Sequence, residues 1–337
     1  MKRVRVGLNG FGRIGRAFAR IALTNDLFDI VVINTRKTQA STMSYLLKYD
    51  TVYRTFDQEV GVNGDSLVVG GKTIPTVHCA DIESIPWSKY DVDVVIDATG
   101  AYVTHEDLHK HLGSSVKKVI LTSPSKDDII PHVVLGVNDM EFDFKNHSII
   151  SNCSCTTNCA SPLFKVLHDS LSVIKGELTT IHAVTLTQSL LDDAGKSFDR
   201  GRAAFQNIIP TTSGAAKAVV KTIPSLKNKL EVMSVRVPVP TVSMCDATVL
   251  VEKSTTVEEV NHAFKVASET SMKDVLHYAT ETLVSSDYIG SPYSCIFDSN
   301  YTKVIDGNMV KVIAWYDNEW GYACRLSDLV IRLGHFV

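Results

Sequence analysis

The segment Ser151–Cys159, which reads SNCSCTTNC, carries the residues best suited to covalent chemistry. It lies between an apolar strand and a helix with apolar periodicity. A cysteine in the first turn of a helix is made nucleophilic, because the unpaired N–H groups and the helix dipole lower its pKa. Cys155 occupies that position, whereas Cys153 falls at the strand end and Cys159 lies one turn inside the helix. We therefore predict that Cys155 is the nucleophile and that its pKa is lowered.

A cysteine nucleophile needs a base, and His182 in the predicted strand Leu178–Leu186 is the candidate. A lone histidine in a strand is more often an ordinary core residue, so the assignment depends on the motifs beside it. The C-x-C-x₃-C spacing lacks a second cysteine or histidine pair, which argues against zinc or an iron–sulfur cluster. His105–His109 matches H-E-x-x-H, but it falls in a predicted crossover helix without an evident third ligand. We predict no metal site.

The string Gly10–Gly15, GFGRIG, predicts a dinucleotide site. It follows a β-rich run at 3–8 and opens the helix Ile14–Leu23, and the strand Ile30–Asn34 comes next. In this context the glycines allow a tight turn and close approach of a pyrophosphate to the helix N-terminus. The segment is therefore predicted to bind a nicotinamide dinucleotide.

The residues after the second strand do not decide whether the dinucleotide is NAD or NADP, which differ in the group at the ribose 2′ position. NAD-binding units usually carry Asp or Glu there, and NADP-binding units a neutral or cationic residue. Here the chain reads Thr35-Arg36-Lys37, without an acidic residue. Arg36 and Lys37 either pair with a 2′-phosphate or form a solvated loop face.

Length and composition indicate a soluble globular enzyme with two domains. The chain has 337 residues, 45% hydrophobic and 21% charged, with a formal net charge of −3. Interspersed charges argue against a nucleic-acid partner, and no apolar run is long enough for a membrane span. Seven cysteines fit reduced thiols, and no signal-peptide core is visible, so we expect a cytoplasmic protein.

The pattern of elements predicts a Rossmann doubly wound parallel sheet, followed by an α+β catalytic domain with a mostly antiparallel sheet. A hairpin excursion from the main sheet is predicted at Asp57–Pro75. We predict a dinucleotide-binding domain at 1–151, a catalytic domain at 152–318, and a C-terminal helix at 319–337 that returns to the first domain. The remaining strands are predicted at Val92–Asp97, Lys118–Thr122, Val133–Val137, Val232–Val237 and Val242–Val251, and the remaining helices at Ala40–Lys48, His105–Leu112 and Trp320–Leu333.

Three motifs together resemble the phosphorylating glyceraldehyde-3-phosphate dehydrogenases. They are NGFGRIGR at 9–16, SN-x-SCTTN at 151–158 and WYDNEWGY at 315–322. The similarity extends over essentially the whole chain, and the middle motif is highly specific.

The resemblance implies oxidation of glyceraldehyde 3-phosphate to 1,3-bisphosphoglycerate in glycolysis, through a thiohemiacetal and a thioester on Cys155, with His182 as the base. It also implies a homotetramer, inorganic phosphate as second substrate, and NAD or NADP as cofactor. The implied cofactor contacts are Asn9, Gly10, Phe11, Gly12, Arg13, Ile14, Thr35, Arg36, Thr99, Gly100, Thr122 and Asn318. The implied contacts to substrate and phosphate are Ser154, Thr156, Thr185, Arg202, Ser213, Gly214 and Arg236.

Departures from the family pattern concern the cofactor. NAD-specific members have Asp where this chain has Thr35, and Pro where it has Ala194. Both changes favour NADP, whereas Asp193 would repel a 2′-phosphate, so dual specificity is our prediction. Within the class, erythrose-4-phosphate dehydrogenase is the alternative, which Thr185 and the Cys-Thr-Thr-Asn context disfavour. A binding protein on an inactive dehydrogenase fold would lack Cys155, His182 or Arg236, and all three are present.

Overall fold

A computed structural model describes residues 3–25, 27–113, 115–195 and 197–337 of the chain, which form two compact units. The first unit contains the described residues up to Val133 together with Glu141–Cys153 and Ala323–Val337, and the second contains Val134–Met140 and Ser154–Tyr322. The division into a dinucleotide-binding domain at 1–151, a catalytic domain at 152–318 and a returning C-terminal helix at 319–337 stays a prediction. Within the described residues, no helix combines the length and the apolar character needed to cross a membrane.

The first unit begins with alternating strands and helices, as the glycine motif predicts. Its elements are β1 (Val4–Asn9), α1 (Arg13–Leu23), β2 (Phe28–Asn34), α2 (Ala40–Lys48), β3 (Tyr49–Asp50), β4 (Arg54–Thr55), β5 (Val60–Asn63), β6 (Ser66–Val69), β7 (Lys72–Val77), β8 (Val94–Asp97), α3 (His105–His109), β9 (Lys118–Leu121) and β10 (Ile149–Ser151).

The sheet of the first unit has the order β10-β9-β8-β1-β2-β7-β6-β5. The strands from β10 to β7 are parallel to their neighbours, and β6 and β5 are antiparallel. From β1 the chain moves first to β2 and later to β8 on the other side, so the winding reverses between β1 and β8. Ligands bind at the carboxyl ends of strands next to such a switch point. The prediction of a doubly wound parallel sheet is confirmed.

The hairpin predicted at Asp57–Pro75 is present as β5, β6 and the start of β7. Its turns have glycines with positive φ, at +56° for Gly64, +53° for Gly70 and +79° for Gly71. The hairpin is not an excursion from the main sheet, because β7 pairs in parallel with β2 and so extends the sheet at its edge.

The strand predicted at Val133–Val137 is wrong. Gly136 has φ +78°, its N–H donates to Asp139 Oδ1 at 2.7 Å, and Val137 N–H donates to the Val134 carbonyl at 3.1 Å. The apolar run therefore forms a turn, because a left-handed glycine and an acceptor side chain three residues later close it locally. The edge position beside β9 is taken by β10.

The second unit consists of a sheet with helices packed on it. Its elements are α4 (Cys155–Leu171), β11 (Val173–His182), β12 (Ile209–Thr212), α5 (Ala215–Thr222), β13 (Leu230–Arg236), β14 (Ser243–Val251), α6 (Val257–Glu269), β15 (Leu276–Ala279), β16 (Cys295–Asp298), β17 (Lys303–Ile305), β18 (Met309–Tyr316) and the start of α7 (Trp320–Leu333).

This sheet has the order β12-β13-β11-β14-β18-β16-β15, with β17 also paired to β18. Its pairs are antiparallel except β11–β13 and β15–β16, which confirms a mostly antiparallel sheet. Alternate residues of β14 are buried, as expected for a sheet covered on one face. Helix α4 packs against β14, β16 and β18.

The final helix, α7, has the bounds predicted for it, and its residues from Ala323 onward belong to the first unit. There the Arg332 guanidinium lies 5.7 Å from the centre of the Phe144 ring, and Ser327 accepts a hydrogen bond from Asn25 at 3.3 Å.

Candidate active site

Helix α4 begins at Cys155, as the sequence predicts. Ser154 is its N-cap, and the Ser154 hydroxyl accepts a hydrogen bond from Thr157 N–H at 3.1 Å. Cys153 precedes the helix with φ +58° and is fully buried. Cys159 is also fully buried, and burial together with the neighbouring Cys245 thiol raises its pKa well above the usual value. Among the three clustered cysteines, only Cys155 keeps partial exposure.

His182 and Arg236 are brought together by strand pairing. Strands β11 and β13 run in parallel with His182 directly opposite Arg236, at the ends of both strands. The His182 Nε2 lies 3.5 Å from Cys155 Sγ, and the Arg236 Nη1 lies 2.7 Å from His182 Nδ1. The structure thus gathers three predicted site residues from one helix and two strands.

The His182 ring has two competing partners on Nδ1. The Ala183 carbonyl oxygen lies 2.7 Å from Nδ1, and Arg236 Nη1 lies at the same distance. A carbonyl only accepts and a guanidinium only donates, so each tautomer of the ring satisfies one of them. With the proton on Nδ1, Nε2 can accept a proton from Cys155. With the proton on Nε2, the ring can donate a hydrogen bond to a thiolate or an oxyanion.

The predicted lowering of the Cys155 pKa is wrong. Burial raises the pKa of Cys155 to about 11, while the charge of Arg236 and a hydrogen bond from Thr156 N–H act in the opposite direction. The residue is partly exposed as a whole, but its thiol is surrounded by protein atoms that replace water around the sulfur. Loss of hydration therefore outweighs the helix terminus.

Burial, together with the positive charge of Arg236, also lowers the pKa of His182 to about 3. The imidazole is therefore neutral at neutral pH. The pKa of Arg236 is itself lowered, mainly by burial, with the Cys155 thiolate raising it and Arg200 lowering it. The charge of Arg236 thus lowers the pKa of both Cys155 and His182.

Tyr316, which the sequence analysis did not select, joins α4 to β11. Its buried hydroxyl lies 3.0 Å from Thr156 Oγ1 and 2.9 Å from Thr180 Oγ1. The Thr156 hydroxyl, predicted to contact substrate, is therefore hydrogen bonded within the protein, as is that of Ser154.

The remaining predicted anion contacts lie in loops around the sheet end. Thr185 follows β11, and its hydroxyl contacts Thr187 Oγ1 at 2.9 Å. Ser213 and Gly214 lie immediately before α5, where Ser213 Oγ accepts from Ala215 N–H at 3.2 Å.

The two arginines of the loop before β12 face different surroundings. Arg202 is exposed and pairs with Asp192 at 3.1 Å. Arg200 instead lines a cavity with Ser213, donates to Thr211 Oγ1 at 3.4 Å, and lowers the pKa of Arg236. Of these two arginines, Arg200 is therefore the one whose charge acts on Arg236 beside Cys155 and His182. Sequence reasoning missed it, although it lies only two positions from Arg202.

Asn318 is held in the second unit by residues at the sheet end. Its Oδ1 accepts a hydrogen bond from Ser243 at 3.1 Å, and the Ser243 hydroxyl accepts from Ala183 N–H at 3.1 Å. Asp317 accepts from Trp320 N–H at 2.9 Å, which caps the start of α7. Asn318 is thereby tied to the residue that follows His182.

A separate pocket of about 750 Å³ lies in the first unit at the carboxyl ends of β1, β2 and β8. Of the predicted cofactor contacts, it is lined by Asn9, Gly10, Phe11, Gly12, Thr35, Arg36 and Thr99. The pocket lining does not include Arg13, Ile14, Gly100, Thr122 or Asn318. Lys37, which the sequence analysis also considered, lines the pocket too, and lining residues that sequence reasoning missed are Asn34, Thr38, Cys79, Ala80, Ile82, Ile85, Ala98, Ala101 and Tyr102.

The glycine turn closes one side of this pocket. Gly10 has φ +101°, and a Cβ there would lie 2.8 Å from the Ala98 backbone. A Cβ on Gly15 would collide with the Gly10 carbonyl oxygen, so α1 can approach the turn only without a side chain at this position. Gly12 is the N-cap of α1, and a Cβ there would meet nothing within 4 Å. The Arg13 side chain pairs with Asp50 at 2.6 Å.

A row of polar side chains crosses three adjacent strands beneath the pocket. Asn9 lies opposite Asn34 of β2 and Asp97 of β8. Asn34 Nδ2 donates to Asn9 Oδ1 at 2.7 Å, and Asn9 Nδ2 donates to Asp97 Oδ2 at 2.8 Å. Asp97 also accepts from Thr99 Oγ1 at 2.6 Å.

Behind this row, His111 lies between Asp97 and Trp87. Trp87 Nε1–H donates to His111 Nδ1 at 3.1 Å, so Nε2 carries the proton and donates to Asp97 Oδ2 at 3.1 Å. All three residues are buried, which makes this a closed hydrogen-bond network that positions Asn9 and Thr99.

The H-E-x-x-H string forms the five-residue helix α3, and the rings of His105 and His109 stack 5.6 Å apart. Within the described part of the chain, no group of three or more His, Cys, Asp or Glu side chains is arranged to hold a metal ion.

Comparison with known proteins identifies both units. Residues 4–105 match the family model "Glyceraldehyde 3-phosphate dehydrogenase, NAD binding domain", and residues 154–318 match the C-terminal domain model of the same family. The glyceraldehyde-3-phosphate dehydrogenase of Geobacillus stearothermophilus is 49% identical over 326 residues, 97% of each chain. Glyceraldehyde-3-phosphate dehydrogenase 2 of a Nostoc species is 46% identical over 328 residues, again 97% of each chain. The glyceraldehyde-3-phosphate dehydrogenase of Streptomyces coelicolor is 45% identical over 334 residues, 98% of this chain and 99% of its own.

Proposed function

Because the chain belongs to the glyceraldehyde-3-phosphate dehydrogenase family, we propose that it catalyses the oxidative phosphorylation of glyceraldehyde 3-phosphate to 1,3-bisphosphoglycerate. The observation that carries the proposal is the distance of 3.5 Å between Cys155 Sγ and His182 Nε2, with Arg236 opposite His182. The erythrose-4-phosphate alternative is not favoured, since the relatives compared above are glyceraldehyde-3-phosphate dehydrogenases by name.

In the first step, Cys155 sulfur forms a bond to the aldehyde carbon, and the carbonyl electron pair moves onto oxygen. His182 Nε2 removes the thiol proton as the bond forms, because burial keeps the resting thiol protonated and the imidazole neutral. The protonated ring then donates to the oxyanion. This gives a thiohemiacetal on Cys155.

In the second step, His182 takes the hydroxyl proton while the carbon is oxidised to a thioester. The bound nicotinamide dinucleotide supplies the hydride acceptor for this oxidation. Inorganic phosphate then attacks the thioester carbon, and the Cys155 thiolate leaves and takes back the proton held by His182. The products are the acyl phosphate, the reduced dinucleotide and the enzyme with its Cys155 thiol and neutral imidazole restored.

Two anions must be held near Cys155, and Arg236 is the proposed cation for one of them, together with Thr185. For the other we propose Ser154, Thr156, Ser213 and Gly214. Arg200 takes the role that the resemblance suggests for Arg202, because it lies beside Ser213 and is electrostatically coupled to Arg236.

The first-unit pocket fits a nicotinamide dinucleotide. The turn at Gly10 leaves no room for a side chain, and Gly12 opens into space at the start of α1, where a pyrophosphate is favoured. The pocket volume is also within the range of ligand sites. Asn9, Phe11 and Thr99 would hold the dinucleotide from the pocket side. Arg13, Ile14, Gly100, Thr122 and Asn318 remain proposed contacts on the basis of the family motifs.

Both NAD and NADP are proposed as cofactors. Thr35, directly after β2, carries no charge that would repel a 2′-phosphate, and the exposed Arg36 and Lys37 line the same pocket. These features support dual specificity with a preference for NADP.

The wider assignments are also proposals. Residues 1–151 would bind the dinucleotide, 152–318 would carry the catalytic residues, and 319–337 would return to the first domain. We propose a homotetramer on the basis of the family. A cytoplasmic location is supported by cysteines that remain thiols in the described chain.

The test is an initial-rate assay with glyceraldehyde 3-phosphate, run with NAD and with NADP, each with and without inorganic phosphate. We expect turnover with both cofactors and a strong requirement for phosphate. Turnover indifferent to phosphate would contradict the phosphorylating reaction, and turnover with NAD alone would contradict dual specificity.

A further inference from the structure

Thr211 connects the side chains of Arg200 and Asp199 in the second unit. Arg200 Nε–H donates a hydrogen bond to Thr211 Oγ1 at 3.4 Å, and the Asp199 carboxylate accepts one from the Thr211 hydroxyl. All three residues line the cavity of about 840 Å³ that Ser213 also lines. No step of the proposed reaction uses Thr211.

The proton positions in this chain of contacts follow from the partners. Hydrogen bonds from Ser197 and Thr211 lower the pKa of Asp199 to about 2, so its carboxylate is charged at neutral pH and only accepts hydrogen bonds. The single proton of the Thr211 hydroxyl therefore goes to Asp199. A lone pair of the hydroxyl oxygen is left for Arg200 Nε–H, so Asp199 orients the hydroxyl as an acceptor for the guanidinium.

The main chain of Arg200 is held separately from its side chain. The Arg200 carbonyl oxygen accepts a hydrogen bond from Ser189 N–H at 3.1 Å. This bond fixes where the side chain begins, but several rotatable bonds separate that point from the guanidinium, and an arginine side chain loses much rotamer freedom when it is ordered. The position of the guanidinium therefore depends on contacts made by its own nitrogen atoms.

Strand pairing gives Thr211 a fixed position close to the reactive residues. Strands β12 and β13 are antiparallel, with Ile209 opposite Arg236 and Thr211 opposite Ser234. Thr211 thus lies two residues along β12 from the partner of Arg236. The hydroxyl is a point on a strand to which the loop arginine, Arg200, is attached.

The bond to Thr211 engages Nε and none of the hydrogens on the two Nη groups of Arg200. Two N–H groups of a guanidinium bind two oxygens of a phosphate at once when the plane of the guanidinium is fixed. The charge of Arg200 also acts on Arg236, so two cations lie near each other. Such a pair suits a multiply charged anion, and inorganic phosphate is the anion that the proposed reaction consumes.

We propose that Thr211 is a positioning residue, which holds the Arg200 guanidinium in the orientation that binds inorganic phosphate beside Ser213. The inference rests on the proposed phosphorylating reaction and on the proposed place of Arg200 in it. Thr211 acts through Arg200 and does not touch the phosphate. Its loss should therefore weaken phosphate binding and leave the chemistry at Cys155 unchanged.

The test uses initial rates of the full-length protein, with inorganic phosphate varied at saturating glyceraldehyde 3-phosphate and NAD, and then with glyceraldehyde 3-phosphate varied at saturating phosphate. Thr211→Val keeps the shape of the side chain and removes the hydroxyl. We expect the KM of phosphate to rise about three- to tenfold, the size that corresponds to one hydrogen bond. The kcat and the KM of glyceraldehyde 3-phosphate should change less than about twofold. Thr211→Ser keeps the hydroxyl and should bring the KM of phosphate back to within about twofold of the original value.

Two controls separate positioning from a general effect on the fold. Thr212→Val removes a hydroxyl from the next residue of β12, which points to the opposite face of the strand, and should change the KM of phosphate less than about twofold. In an Arg200→Leu background, Thr211→Val should cause no further rise of the KM of phosphate, because no guanidinium is left to position. A purely structural role of Thr211 would give the same rise in both backgrounds.

The outcomes separate this proposal from the proposed function. An unchanged KM of phosphate in Thr211→Val, or an equal rise with and without Arg200, overturns the role of Thr211 while the phosphorylating reaction stands. A larger rise in the KM of glyceraldehyde 3-phosphate than in that of phosphate also overturns it, because Arg200 would then serve the other anion. If turnover of the original chain does not depend on phosphate, the proposed reaction and the role of Thr211 both fall.

Discussion

The first-unit pocket and the Cys155 site both lie at strand ends, but their polar groups are arranged differently. Beneath the pocket, Asp97 accepts hydrogen bonds from Asn9, Thr99 and His111, all within the protein. At the second site, Cys155 and His182 are held in their neutral forms beside the half-buried Arg236. Hydrogen bonds preorganise the first site. At the second site, burial raises the pKa of Cys155 and lowers the pKa of His182, which sets their reactivity.

This difference suggests how substitutions should act. Changes in the hydrogen-bond network should weaken dinucleotide binding and lower stability together, because one set of bonds serves both. Changes among Cys155, His182 and Arg236 should alter reactivity while dinucleotide binding remains, since the pocket in the first unit is built from other residues.

The largest expected effect is that of Cys155→Ser. An alcohol is a far weaker nucleophile than a thiol here, and loss of a nucleophile costs roughly 10⁴-fold or more in kcat. Initial rates with glyceraldehyde 3-phosphate measure the loss, and calorimetry with NAD should give a Kd close to that of the original chain. Retained turnover would remove Cys155 from the mechanism, and a large loss of NAD binding would break the separation between the two sites.

A second prediction concerns the pH dependence of Cys155 alkylation in the protein without ligands. Burial raises the pKa to about 11, so the thiolate fraction should increase about tenfold per pH unit from pH 7 to 10, without a plateau. The measurement is the rate of iodoacetamide incorporation at Cys155, followed by peptide mass spectrometry. A plateau below pH 9 would show that the thiol is acidic and that the helix terminus prevails over burial.

The sequence predicted features that depend on residues adjacent in the chain, but it did not predict features that depend on residues distant in the chain. The start of α4 at Cys155 follows from the apolar periodicity after it. The pKa of Cys155 does not, because it depends on how much protein surrounds the sulfur. The missed Tyr316 contacts likewise depend on packing between residues distant in sequence. The false strand at Val133–Val137 shows that an apolar run is overruled by one glycine turn.

Arg200 and Arg202 offer a matched pair for a third prediction. Arg202 is exposed in an ion pair with Asp192, and Arg200 lines the cavity with Ser213. We expect Arg200→Leu to reduce kcat/KM by about 10- to 100-fold, because a partly buried cation that meets an anion is removed. Arg202→Leu should change it less than about twofold, as an exposed ion pair contributes little. Equal losses in the two variants would contradict the placement of Arg200.

The smallest effect is expected for Asp97→Asn, which tests the pocket itself. The amide keeps the shape of the carboxylate but offers one acceptor oxygen in place of two, so one of the donors from Asn9, Thr99 and His111 loses its partner. An unsatisfied buried donor costs about 1–3 kcal/mol, which should appear as a lower free energy of unfolding in urea. Because Asn9 and Thr99 line the pocket, the Kd of NAD should also rise about tenfold. Cys155 alkylation should keep its rate, since none of the network residues contacts the thiol. If stability falls but NAD affinity does not, the network supports the fold without positioning the dinucleotide, and the contrast between a preorganised pocket and a reactive site would have to be abandoned.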